Sequence, residues 1–274
     1  MIEIADRALA GIRFEDAATR TPVSEPLHVS AQGLSLYRNH RHIYVVREAA
    51  GLEAHVHAVG AAPALPVPGL LPFEVEVRDP TGLYLPRRFT LDLPRVDHAD
   101  DDDAAHRLVN VTLYRSPLAP SSLHWALVRV RLEDAAGNPV PGLVRVVFEP
   151  AAPDEPEVLG MGMSVVADPL AAELARRAPP GGRWVHFDAR QHGEVCVPVV
   201  GLSSTVWSDG SGTDPDTVTL DAVPVVLEVI PMATAGGLPN PDLSVDAVAD
   251  DDNRHDLQLR VGQEFVVGPL EVTL

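Results

Sequence analysis

Residues 128–150 read VRVRLEDAAGNPVPGLVRVVFEP, and this stretch decides the fold. Val128, Val130 and Leu132 alternate with Arg129 and Arg131, so a strand with one apolar and one wet face enters the stretch. A second branched run, GLVRVVFEP, leaves it. Between them Asp134 can accept hydrogen bonds from amides two residues on. Gly137 supplies a positive φ, Pro139 fixes the exit, and Gly142 opens the second strand. The polar residues are there to turn the chain. One buried face and one solvated face predict an antiparallel sheet.

Working outward, the same grammar recurs. Strand-like runs bounded by turn residues appear at IRFED (12–16), PLHVSAQ (26–32), HIYVVRE (42–48) and LEAHVHAVG (52–60). FEVEVRD (73–79), RRFTLDL (87–93), RLVNVTLYR (107–115) and LHWALVRVRLED (123–134) follow. GEVCVPVVG (193–201), VPVVLEVIP (223–231), LQLRVG (257–262) and EFVVGPLEVTL (264–274) complete the set. Phe73, Val75 and Val77 repeat the inward alternation. The 26 prolines and 20 glycines are spread along the chain, which suits many short strands. One segment reads as helix, ADPLAAELARRAPPGG (167–182): Asp168 caps it, Pro169 suits its first turn, and Pro179 onward stops it. We expect an all-β protein of two antiparallel sandwich modules with one short helical insertion near 168–178. The modules are 1–95 and 123–274, joined by an acidic loop, a strand and a connection over 96–122.

Composition bounds the function. The chain has 274 residues, enough for one large or two ordinary domains at roughly 100–200 residues each. A formal charge of −18 repels phosphate backbones and anionic membranes, so nucleic acid is excluded as a partner. No run approaches ~18 uninterrupted apolar residues, and the first residues lack the basic-then-apolar pattern of a secretion signal. We therefore expect no membrane insertion and a cytoplasmic protein. The single cysteine, Cys196, forms no disulfide within the chain and reads as a buried thiol.

Three segments share a layout: FEDAATRTPVSEPLHV (14–29), VRDPTGLYLPRRFTL (77–91) and LEDAAGNPVPGLVRV (132–146). Each ends a strand with Asp, turns, passes a proline beside a branched residue and starts another strand. Asp79 and Gly82 stand in the second as Asp134 and Gly137 do in the third. Any β-protein reuses such turns; two related modules in tandem is the alternative.

Asp134, Gly137, Pro139, Val140, Gly142, Leu143 and Val146, with the later HFDARQHGEVCVPVVGL (186–202), resemble a carboxypeptidase-regulatory-like domain, a transthyretin-like seven-strand sandwich. The second motif begins at Asp188 and reaches its glycine only at Gly193, a longer spacing than that family uses. The segments LSLYRNHRHIYVV and VRDPTGLYLP are similar to accessory proteins found with phage-tail-like contractile injection systems. That resemblance implies a non-enzymatic structural adaptor at the cap end or baseplate of the particle. Its partners would be sheath, tube, cap or baseplate subunits, in several symmetric copies. Tyr84, Trp184 and Trp207 are the candidate interface side chains, and no cofactor is implied.

Chemistry-bearing residues were weighed against that reading. His55 and His57 alternate on one strand and suit a metal pair, with His40 or His42 as a third ligand. Two histidines so spaced on an exposed face are more often plain polar residues, and we assign no metal site and no catalytic residue. The four adjacent aspartates in HADDDDAAH (98–106) repel one another and prefer water to the spaced ligands of a calcium loop. Ser203 and Ser204 lack the glycines of a nucleophile elbow. A sandwich that binds carbohydrate or another ligand through Trp184 or Trp207 is the alternative function.

Overall fold

The computed structural model describes residues 8–53, 69–95, 108–149, 156–166, 193–202, 222–232 and 238–272. The expected helix at 168–178, His55, His57, Asp188, Ser203, Ser204, Trp184, Trp207 and the aspartate run 100–103 lie outside the described residues. The chain is all-β and divides into two units. Unit 1 comprises Met1–Asp16, Arg20–Pro80 and Pro86–Leu113; unit 2 comprises Ala17–Thr19, Thr81–Leu85 and Tyr114–Leu274.

Unit 1 holds seven described strands: β1 (Ala10–Asp16), β2 (His28–Ala31), β3 (Leu34–Arg38), β4 (Tyr44–Ala49), β5 (Leu71–Arg78), β6 (Arg87–Leu93) and β7 (Leu108–Leu113). They form one sheet in the order β3-β4-β1-β7 and a second in the order β2-β5-β6. β7 falls in the expected connection and pairs with β1. Phe14 of β1 meets Phe89 of β6 edge-on at 6.1 Å, and Tyr44 of β4 at 5.5 Å, so an aromatic cluster fills the space between the sheets. The Tyr44 hydroxyl accepts from the Leu27 amide and donates to its carbonyl, both at 2.8 Å, which fixes the crossing between the sheets.

Unit 2 repeats the scheme with β8 (Ala126–Glu133), β9 (Gly142–Phe148), β10 (Glu157–Met163), β11 (Glu194–Val199), β12 (Val223–Pro231), β13 (Arg254–Leu259), β14 (Glu264–Val266) and β15 (Leu270–Glu271). Its sheets run β10-β9-β12-β13 and β11-β8-β14, with β15 continuing along β8. The core between them is branched aliphatic: Val128, Val130 and Leu132 of β8 and Val195, Val197 and Val199 of β11 pack with residues of β9 and β12 such as Val144, Val146 and Leu227. Arg129 and Arg131 face outward, as the alternation predicts.

In both units the first strand pairs antiparallel with the fourth and parallel with the seventh: β1 with β4 and β7, β8 with β11 and β14, and β15 also joins β8 in parallel. The second pairs with the fifth, and the fifth with the sixth. The other described pairings are antiparallel, as expected, and the parallel contacts all involve the first strand of a unit. Strands that alternate in direction leave the first and seventh pointing the same way, so they can meet only in parallel. The third strand differs: β3 pairs with β4, whereas β10 pairs with β9.

The turn after the first strand closes in the same pattern in both units, with one residue more in unit 1. In unit 2 the Asp134 amide donates to the Asn138 carbonyl, and Val140 returns to Leu132. In unit 1 Asp16 donates to Thr21, and Val23 returns to Phe14. Isolated bridges Glu133↔Pro139 and Glu15↔Pro22 occupy the same place. The third segment of similar layout, 77–91, instead joins β5 to β6 within one sheet, where Val77 faces Arg87. Its resemblance to the other two is shared turn chemistry alone.

β10 was not foreseen. In EVLGMGM the glycines alternate with methionines, and a Cβ at Gly160 or Gly162 would lie 2.6 and 2.7 Å from the carbonyl oxygens of Pro198 and Cys196. Glycine therefore lets β10 press edge-on against β11 and close that side of the sandwich. Gly162→Ala is expected to cost about 1–3 kcal/mol in a urea or guanidinium titration, because the obstacle is backbone that must shift.

The two turns also differ in the residue that takes the positive φ. Gly137 has φ 79°, and Arg20, which takes its place, has φ 57°. A side chain in the left-handed region carries a steric penalty of about 1 kcal/mol. Arg20→Gly should therefore raise the stability of unit 1 by about 0.5–1 kcal/mol, measured as a higher denaturation midpoint at unchanged slope.

Candidate functional site

Every one of the 21 basic side chains other than histidine is an arginine; the sequence has no lysine. A guanidinium is a fork of five donors, able to grip more than one acceptor at once. The outer faces of both unit 2 sheets use it that way.

On the four-stranded sheet, Arg145 of β9, Glu228 of β12 and Arg254 of β13 stand opposite one another in one row. The Glu228 carboxylate receives Arg145 at 2.7 Å on one oxygen and Arg254 at 2.9 Å on the other. Arg254 also pairs with Glu149. The Glu228 side chain is 8% exposed and that of Arg145 14%, so neither has much water to replace its partner. Arg145 then uses its remaining donors on the chain that crosses above: Nη1 to the Val245 carbonyl and Nη2 to the Ala247 carbonyl, both at 3.0 Å. The loop 238–253 is thereby fastened to the sheet. Its inward side chains, Leu238 and Ala249, are buried, while Leu243 and Val248 stand 80% and 83% exposed.

On the other sheet, Arg129 of β8 reaches Glu264 at 2.6 Å, Glu194 at 3.3 Å and the Pro117 carbonyl at 2.7 Å. Arg115 lies over the Trp125 ring at 4.6 Å and donates to the Pro120 carbonyl. The 117–125 loop is thus held at both ends. Leu118 and Leu123 on it are 65% and 88% exposed, and Val266, paired with Arg129 across the sheet, is 77% exposed. Cys196 beneath is buried, and loss of solvation pushes its thiol up to about 11, consistent with an inert core cysteine.

Asp134, Gly137, Pro139 and Gly142 come together in the β8–β9 turn. The Asp134 carboxylate accepts from the Ala136 and Asn138 amides and the Asn138 side chain, which holds it below the usual carboxylate range. Gly193 closes on this turn: its carbonyl accepts from Leu132, and a Cβ there would lie 2.8 Å from that of Pro139. The two glycine-bearing motifs therefore meet in space. The buried Ser164 hydroxyl, not singled out in the sequence, braces the same corner by accepting from Gly142 and donating to Val140. Asp79 and Gly82 lie in the β5–β6 connection. Tyr84, expected at an interface, is 9% exposed and bridges to Arg115 within unit 2, so burial leaves only a rim of it for a partner. His42 sits 2.6 Å from an Arg38 guanidinium nitrogen, which occupies its Nδ1. Among the described residues no three metal-ligating side chains converge.

No family model matches the chain, and no curated protein matches it. Among solved structures it is similar to the Bacillus anthracis TIE protein, at 6% identity and a TM-score of 0.23, over 95% of this chain and 33% of that one. It is also similar to a streptococcal ancillary pilin, at 9% identity and a TM-score of 0.22, over 95% of this chain and 69% of that one. The chain thus spans about a third of the length of the first of these.

Replacing Arg145 with methionine keeps the stem and removes the fork. The loop 238–253 loses both carbonyl anchors, and Glu228 is left with Arg254 alone. The expected loss is about 3 kcal/mol, with hydrogen exchange at 238–253 rising first.

Proposed function

We propose that the chain is a non-enzymatic structural adaptor of a contractile, phage-tail-like particle, positioned at the cap end or baseplate and docking neighbouring subunits. The motif resemblance supplies the kind of particle. The observation that carries the docking role is the display of Leu118, Leu123, Leu243, Val248 and Val266, each at least 65% exposed, on loops and an edge strand of unit 2. Loops with such side chains would collapse inward if they were free to do so. Here guanidinium anchors hold them out, a costly arrangement for a surface meeting only water. Sheath, tube, cap or baseplate proteins would cover them, and symmetric particles imply several copies.

The test is sedimentation of particles from cells producing the tagged full-length chain, followed by mass spectrometry. Recovery in fixed ratio to sheath and tube proteins is the expected result. Recovery as a free monomer beside complete particles would overturn the proposal.

A further inference from the structure

We infer that the loop 238–253 is the docking element of unit 2, and that its partner is a protein surface with an apolar hollow rimmed by arginine or lysine. This rests on the adaptor reading for its setting, and its chemistry comes from three features of the loop.

The first is the pair of outward side chains. Leu243 and Val248 stand exposed on a loop that Leu238, Pro239, Pro241 and Ala249 seat by burial, with Val245 half-buried and Ala247 exposed. Exposed as they are, the outward pair buries little surface within the chain. The second is that the loop is held before any partner arrives. Arg145 takes its carbonyls at Val245 and Ala247, between the two knobs, and hydrogen-bonded turns at 241–244, 244–247 and 250–253 set its path. A pre-organised loop loses little further freedom on binding.

The third feature chooses the occupant. Between 238 and 253 stand Asp242, Asp246, Asp250, Asp251 and Asp252, all exposed, and no basic residue. Five negative charges on the loop that carries two apolar knobs oppose a second copy of a chain that carries −18, and oppose nucleic acid and anionic lipid for the same reason. It favours a hollow with a positive rim. At the base of the loop Asn240, 8% exposed, holds an acceptor oxygen with no hydrogen-bond partner.

The experiment places the photo-crosslinker benzoylphenylalanine at Val248 of the full-length chain, in the cells that make it. The adduct is then sequenced by mass spectrometry, with the same probe at Glu48, an exposed position of unit 1, as a control that should give no adduct. The expected adduct joins Val248 to one other protein, at a segment with apolar side chains flanked by Arg or Lys. Leu243→Ser in the same chain should weaken it by roughly tenfold without lowering the melting temperature. An adduct to a second copy, an adduct to a segment without basic residues, or no adduct from a chain that melts normally would each overturn the inference. If the basic partner belongs to no tail-like particle, the adaptor reading fails and the docking element stands. If the chain sediments with the particle while Val248 gives no adduct, the docking element fails and the adaptor reading stands.

Discussion

The turn that follows the first strand of each unit is the constraint on which the rest of the fold depends. It carries the chain from one sheet to the other, so its geometry decides which faces of the first and second strands meet in the core. In unit 2 the Asp134 carboxylate collects the amides of Ala136 and Asn138, and the backbone closes Asp134 onto Asn138 and Val140 onto Leu132. Once these are made, Val128, Val130 and Leu132 on one sheet must confront Val144 and Val146 on the other. A slip of one residue would put arginines into the core in their place. Ser164 and Gly193 lock the outer side of the same corner, so it is braced by residues from two later parts of the chain.

The repetition of this corner has a physical consequence. Asp16 to Thr21 and Asp134 to Asn138 close equivalent loops, and the pairing of first, fourth and seventh strands is shared. The cores built on this frame differ in kind. Unit 1 uses aromatic rings, Phe14, Tyr44 and Phe89, at edge-on angles; unit 2 uses valines and leucines stacked in rows. The frame fixes which positions face inward and leaves open what fills them, provided the volume is right. That is why the kinship lies in turn residues and pairing, and why the strands themselves look dissimilar.

Strands with a clean period of two were legible, and β6 and β12 fall where their alternation and flanking turns put them. β3 and β10 were not. LSLYR is only half-buried at its apolar positions, so no strong contrast marks it. EVLGMGM puts glycine where a strand usually carries a branched side chain, and its reason, the close approach to β11, exists only once the two strands are brought together. The arginine rows escaped for a related reason. Arg145 and Glu228 are 83 positions apart, and nothing local distinguishes them from solvated charges. Arg129 was correctly read as outward-facing, but outward did not mean free: Glu194, Glu264 and Pro117 all claim it. Tyr84, a candidate interface side chain, is 9% exposed, and the sequence carries no local sign of the chain that covers it.

Charge and lysine usage then fit together. A chain at −18 has few cations to set against its acids, and a flexible ammonium at a surface satisfies one carboxylate at a time. Arginine alone does more here. Arg145 neutralises Glu228 and also ties down a loop that carries five aspartates and no cation of its own. The positive charge is spent beneath the loop, on the sheet, so the loop's outer surface remains acidic around Leu243 and Val248. The same substitution of anchoring for exposure holds at Arg129, whose guanidinium lies under the 117–125 loop and leaves Leu118 and Leu123 outside. Half-buried cation, pinned backbone and displayed apolar side chain form one arrangement, repeated on the two outer faces of unit 2. Lysine in place of either arginine would keep the charge but lose the planar fork that reaches a carboxylate and a backbone carbonyl together.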